Sequence, residues 1–300
     1  MNSISRLLVI YRKNLKLTQK QLVLKLSCFD DEFKGVNTVT ISRWETDTTT
    51  PNLSKKHKLM SFLFKNGCLK NSDCREIIRG CYKNLHTPLH QIFSKNYQYI
   101  IGNFPEQKGV SNYNFFSLNG FEFAREYIEH IVDIEKASNV ENYYTTSTKE
   151  LYDLTLQNST FSVICERKKQ HLGHFIVFKL KNDVAEDIAY HRRSEMSITK
   201  EDICPTYERG TYYIHAMYGR NPKIAAQLNV KAYLHFLDNI EYIDNIMIFS
   251  SRKDGTNISK DYGIKLVAKG IDETYNFEWN GMLSPVEDIL LSYTVLKLSF

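Results

Sequence analysis

The sequence predicts a multidomain protein, an all-α domain followed by an α/β (α+β) domain on a mixed sheet. Three observations carry this expectation. Apolar residues recur at helical spacing through the first third, then give way after Phe161 to short runs of β-branched and aromatic residues. The 300 residues exceed what one small module needs, which favours two domains. Charge divides along the same line: residues 1–95 hold 17 Lys+Arg against 7 Asp+Glu, and the remainder 22 against 27. A basic first third and an acidic remainder confine phosphate contact to the first domain.

The elements follow in order. Residues 3–14 form a helix with Ile4, Leu7, Leu8 and Tyr11 on one face, followed by Arg12 and Lys13. Thr18 caps the next, with Gln21 completing a capping box, and Leu22, Val23 and Leu26 give its inner face. Asn37 caps a third, in which Ile41 and Trp44 turn inward and Thr38, Val39, Thr40 and Arg43 stay outside. After Pro51, Leu53, Met60, Leu63 and Phe64 mark a fourth helix, with Lys55, Lys56 and Lys58 near its start.

At this point the chain resembles the phage-repressor, or Xre-type, helix-turn-helix family. The matching residues are Leu17-Thr18-Gln19 with Leu22, Val36 with Asn37, Ile41-Ser42-Arg43-Trp44-Glu45, and Pro51. Two departures stand out: an insertion near Cys28–Gly35, and Thr46-Asp47 where the family carries a Gly. The resemblance implies double-stranded operator DNA as partner, contacted by a homodimer. Thr38, Val39, Thr40 and Arg43 would read bases beside Asn37, while Gln19, Lys20, Lys55 and Lys56 would hold phosphates, with Arg12 and Lys13 beside that face.

This domain is assigned to 1–66 and a linker or docking segment to 67–119. Within the latter, Asp73–Tyr82 reads as a short helix with Ile77, Ile78 and Tyr82 inward, and Pro88 opens another. Residues 120–300 form the second domain. Residues 121–136 read as an amphipathic helix, with Phe121, Ala124, Ile128 and Ile131 against Arg125, Glu126, Glu129, Asp133 and Glu135. A short helix spans 149–156. Strands are expected at 161–167, 174–180, 212–218, 243–249, 263–267 and 292–298, with a helix at 224–237 between the third and fourth.

A strand hairpin followed by strand, helix, strand is similar to the order of the Gcn5-related N-acetyltransferase (GNAT) fold. The resemblance implies a strand-to-helix turn that cradles coenzyme A pyrophosphate, mapping here to Gly219–Ala225. Arg220, Lys223, Ile224 and Ala225 become the cofactor-binding candidates, although Lys223 stands where the family places a Gly and Pro222 removes an N–H. The family's general-acid Tyr maps to Ser259, so no catalytic residue is assigned. Glu166, Glu208, His174 and His215 are the remaining acid–base candidates, each equally readable as an ordinary strand or loop residue. The cluster His191–Glu195 reads as a solvated loop.

The six cysteines have no zinc-knuckle or redox spacing, no leader or long apolar run is present, and there is no His-Glu-x-x-His, Walker or Gly-x-Ser-x-Gly motif. No metal and no membrane are expected, and the location is cytoplasmic. The functional expectation is a sequence-specific DNA-binding transcriptional regulator whose second domain senses an acyl or CoA-like effector, dimerises, or both. The alternative is an active acyl-CoA-dependent N-acyltransferase with a DNA-binding targeting module.

Overall fold

The capping box read from Thr18 is present in the computed structural model. The Thr18 hydroxyl accepts the Gln21 N–H at 3.2 Å, and the Gln21 side chain accepts the Thr18 N–H at 2.8 Å. The structure describes residues 3–96, 113–119, 124–138, 147–274 and 276–299. Phe121 and residues 97–112 of the expected linker lie outside them.

The helices are α1 (Ser3–Asn14), α2 (Gln19–Phe29), α3 (Thr38–Glu45), α4 (Leu53–Lys65), α5 (Ser72–Lys83), α6 (His86–Asn96), α7 (Ala124–Ser138) and α8 (Thr148–Thr155). After them come α9 (Asn182–Ala189), α10 (Pro222–Asp238), α11 (Lys253–Asp261), α12 (Val286–Leu290) and α13 (Tyr293–Ser299). The strands are β1 (Asn114–Phe116), β2 (Phe161–Arg167), β3 (Gln170–Leu180), β4 (Gly210–Gly219), β5 (Ile243–Ser250), β6 (Leu266–Asp272) and β7 (Phe277–Pro285).

Two compact units divide the chain: Met1–Leu85 with Leu290–Phe300, and His86–Ile289. The helical unit therefore runs past residue 66. Cys74, Ile78 and Tyr82 of α5 are fully buried, α5 packs on α1, and the Tyr82 hydroxyl donates to the Leu290 carbonyl at 2.7 Å. The C-terminal segment expected as a strand at 292–298 is helix α13. Ser292 caps it by accepting the Val295 N–H, and Val295 and Leu296 are buried as the helix packs on α4. Burial against a helix overrides the alternating pattern.

Both departures in the first two-helix segment are absorbed locally. Inside the insertion, Asp30 caps a short turn over Asp31–Phe33, Phe33 fills the core, and Lys58 of α4 pairs with Asp30 at 2.7 Å. Asp47 takes the left-handed conformation (φ 63°) that a Gly would supply. Around it the Thr48 N–H donates to Arg43 O at 2.9 Å and the Asp47 N–H to Trp44 O at 3.3 Å, a Schellman-type helix end.

The second unit is built on a seven-stranded mixed sheet of order β1-β2-β3-β4-β5-β7-β6. Among the described strands only β4 and β5 run parallel, joined by the α10 crossover. The expected hairpin is β2–β3. The described end of the expected linker, Phe115-Phe116, belongs to edge strand β1, and β6 begins at Leu266 rather than at 263. One face of the sheet buries Ile164, Ile176, Phe178, Tyr213 and Met247 with Ile128 and Ile131 of α7 and Ile188 of α9. Against β7, α9 lies so close that a Cβ on Gly281 would stand 1.7 Å from Ala189 O.

Candidate active site

Two irregularities of β4 create the site. Its parallel pairing with β5 covers only Gly210–Tyr213 against Ile243–Met247, whereas its pairing with β3 continues to Gly219. The two strands thus part beyond Tyr213. Just there Val177 pairs with Ile214 and Ile176 with Ala216, which leaves His215 as the extra residue of a bulge. A bulge re-aims a side chain and strengthens local twist. His215 accordingly packs with Phe178 (ring centroids 4.9 Å apart) and sets its Nε2 3.5 Å from Glu135 Oε1 of α7.

Glu135 belongs to the apolar stripe. Ala124, Ile128, Ile131 and Glu135 follow one another at spacings of four, three and four, so the helix turns the carboxyl inward with the core residues rather than outward with Asp133. Burial pushes the Glu135 carboxyl up to about 8, with the Glu195 charge a second contribution, and burial pushes His215 down to about 4. A neutral carboxylic acid therefore faces a neutral imidazole at pH 7. The Nε2 of His215 is buried and has no hydrogen-bond partner among the described residues. Glu195 comes from the segment between α9 and β4, and the Tyr213 hydroxyl donates to it.

That segment is not a solvated loop. Arg193 pairs with Asp202, Arg192 with Asp187 at 2.7 Å, and His191 Nε2 lies 3.1 Å from Asp272 Oδ2. The other acid–base candidates separate. Glu166 accepts from Tyr127 and, at 3.2 Å, from Asn114; Glu208 is exposed; His174 is buried beside His171.

The strand-to-helix turn differs from a bare backbone cradle. Asn221 caps α10 by accepting the Ile224 N–H at 3.0 Å, and its carbonyl accepts the Ala225 N–H at 3.1 Å. The N–H groups of Ile224 and Ala225 are thereby spent within the chain, and both side chains are core. Gly219 permits the close strand–helix approach, since a Cβ there would lie 2.7 Å from Ala225 N. Arg220 and Lys223 remain partly exposed, Lys223 Nζ 5.8 Å from the Tyr113 ring centroid. Ser259 is buried and donates to Gly255 O at 2.7 Å, while the Tyr262 hydroxyl donates to Asn229 Oδ1 of α10.

In the helical unit α3 exposes Thr38, Val39 and Arg43, with Thr40 partly buried; the Asn37 side chain caps the helix by accepting the Thr40 N–H at 2.9 Å. Lys20 is exposed and Lys55 and Lys56 are half-buried. Arg12 turns inward instead of lining this face: its Nε donates to Glu45 Oε1 at 2.5 Å and its Nη2 to Oε2 at 3.0 Å. Gln19 Nε2 also donates to Glu45 Oε2, at 2.8 Å. Among the described residues no group of three His, Cys, Asp or Glu is placed to hold a metal, and no helix is long and apolar enough to cross a membrane.

No protein-family model and no curated protein matches the chain. Solved acyltransferase structures are similar to it at low identity. FeeM, an N-acyl amino acid synthase from uncultured soil microbes, is 14% identical with a TM-score of 0.43, covering 60% of this chain and 94% of its own. An N-acetyltransferase from Staphylococcus aureus is 7% identical, TM-score 0.40, with 59% and 99% covered. An acyl-CoA N-acyltransferase from Pseudomonas aeruginosa is 12% identical, TM-score 0.38, with 57% and 97% covered.

Proposed function

We propose that the sheet unit transfers an acyl group from a thioester donor of the acyl-CoA type to an amine, and that the helical unit docks the protein on double-stranded DNA. The observation that carries the first part is the neutral Glu135–His215 pair at the β4 bulge, where β4 and β5 part. Amide formation needs one group to take a proton and another to give one. As the amine nitrogen bonds to the acyl carbon, its proton passes to His215 Nε2. As the carbon–sulfur bond breaks, the leaving thiolate takes the proton of the Glu135 carboxyl. The resulting imidazolium and carboxylate face each other and return to the neutral pair by one proton transfer.

Asn221 takes up the Ile224 and Ala225 N–H groups of the α10 turn, so the donor's phosphates are assigned to the side chains of Arg220 and Lys223. The exposed Thr38, Val39 and Arg43 on α3 support the DNA reading. The first part is tested by thiol release from a panel of acyl-CoAs with amino acids and polyamines. Amine-dependent release that falls at least a hundredfold in Glu135→Gln supports it; release no faster than without protein, for every pair, overturns it.

A further inference from the structure

The β2–β3 hairpin closes with residues that its turn does not favour. Arg167 pairs with Gln170, so Lys168 and Lys169 are the two residues of the turn, and both take positive φ, 50° and 61°. A two-residue turn with this backbone ordinarily carries Asn-Gly or a similar pair, because a Cβ is strained there. Strain of this kind persists only where its surroundings hold it, and it collects at ligand sites. Here it brings two lysines to the lining of a cavity of about 580 Å³, an ordinary volume for a small-molecule site.

Helix α7 supplies another wall through His130, Asp133 and Ile134, and half-buried His171 of β3 completes the lining. A bulge explains why His171 is there. Cys165 pairs with Gly173 and Glu166 with His171, which leaves Leu172 as the extra residue, so His171 and His174, three apart, share the face that meets α7. Buried His174 holds the His171 ring, its Nδ1 3.3 Å from His171 Nε2 and the two rings stacked with centroids 5.2 Å apart. Tyr127 meets the same ring edge-on at 6.1 Å and His130 lies at 6.4 Å. Burial pushes His171 down to about 4, so this part of the lining is fixed in place and uncharged at pH 7.

Lys168, Lys169 and Asp133 give the cavity two cations on the hairpin and one carboxylate on α7. None of these three side chains has a hydrogen-bond or ion-pair partner among the described residues. The complement of such a lining is a molecule with two anionic groups and one ammonium. We propose that the cavity binds a small amine-bearing dianion, the class of the acidic amino acids and aminoalkyl phosphates, with its anionic groups on Lys168 and Lys169 and its ammonium on Asp133. Asp133 and Glu135 stand two apart on α7 and leave it on different sides, so this site is separate from the Glu135–His215 pair and does not rest on acyl transfer.

The full chain, labelled with ¹⁵N at histidine, is titrated at pH 7 with glutamate and with O-phosphoethanolamine while the His130 and His171 ring resonances are followed by NMR. Glutarate and inorganic phosphate, which lack the amine, and glutamine, which lacks one carboxylate, are the controls. At least one of the two dianions should shift both rings saturably and bind about tenfold or more tightly than the controls that match it. Which of them does so tells a second carboxylate from a phosphate. Lys168→Asn with Lys169→Gly gives the turn the pair it favours, so the fold is kept while binding should fall about tenfold or more. Asp133→Asn, at an exposed helix position, should erase the preference over the amine-free control. No saturable shift with either dianion, controls bound equally well, or undiminished binding in the turn variant overturns the site.

Discussion

Glu135→Gln should change how stability depends on pH, and by an amount the structure sets. The Glu135 carboxyl moves from its ordinary 4.5 to about 8 through burial, with Glu195 adding to it. Between those values the unfolded chain has released a proton that the folded chain retains, so raising the pH draws the equilibrium toward the unfolded state. The contribution is whole below pH 4.5 and gone above 8. At about 1.4 kcal/mol per unit the full span is about 5 kcal/mol. The side chain keeps 16% of its surface exposed, and water there relieves part of the burial cost, leaving about 3 kcal/mol. Gln keeps the shape without the proton. Urea unfolding of both proteins at matched pH from 4.5 to 8.5 should therefore show the variant gaining about 3 kcal/mol relative to the parent as pH rises. Subtraction removes the opposite trend from His171 and His215, whose depressed values add stability as pH climbs toward 6.5. Profiles that stay parallel within about 0.5 kcal/mol would refute an inward-facing, proton-holding Glu135.

Four further outcomes are expected. Glu45→Gln leaves the Arg12 guanidinium short of its carboxylate in a setting where Glu45 is 7% exposed, and should cost the helical unit about 3 kcal/mol in thermal unfolding; a loss below about 1 kcal/mol would show the pair to be incidental. Gly281→Ala forces a methyl against Ala189 O and should cost about 3 kcal/mol or prevent soluble expression, whereas parent-like stability would mean that α9 is not seated on β7. Ending the chain at Ile289 removes the acceptor of the Tyr82 hydroxyl and the buried Val295 and Leu296, so hydrogen exchange should rise in α4 and α5 with the sheet unchanged; equal protection would contradict the shared helical unit. Arg43→Ala should weaken binding to duplexes selected from a random library by about 1–3 kcal/mol, and undiminished affinity would remove Arg43 from the base-reading set.

The helical unit was legible where local chemistry decides structure. Thr18, Asn37 and Ser292 all cap helices, but only the first two precede a clear 3.6 pattern; Ser292–Leu298 alternates, and nothing local says that Val295 and Leu296 meet α4. The left-handed Asp47 was hidden for a similar reason. A residue without Cβ announces such a turn, whereas Asp adopts it only where the surrounding hydrogen bonds enforce it.

The candidate acid–base site divides in the same way. Glu135 was readable, because spacings of four, three and four from Ala124 place it on the buried stripe whatever its polarity, and residue type misled where position would have served. His215 was visible as a strand histidine, but its bulge is a property of how two strands pair and has no marker in either one. Glu195 lies farther from sequence still, since it reaches Tyr213 from a segment whose charged run looks solvated until Asp187, Asp202 and Asp272 are brought to it. The order of elements is thus written in propensity and period, while the proposed chemistry rests on the three points where tertiary pairing overrides them: an acid on an apolar stripe, an extra residue in a strand, and a carboxylate delivered by a connection.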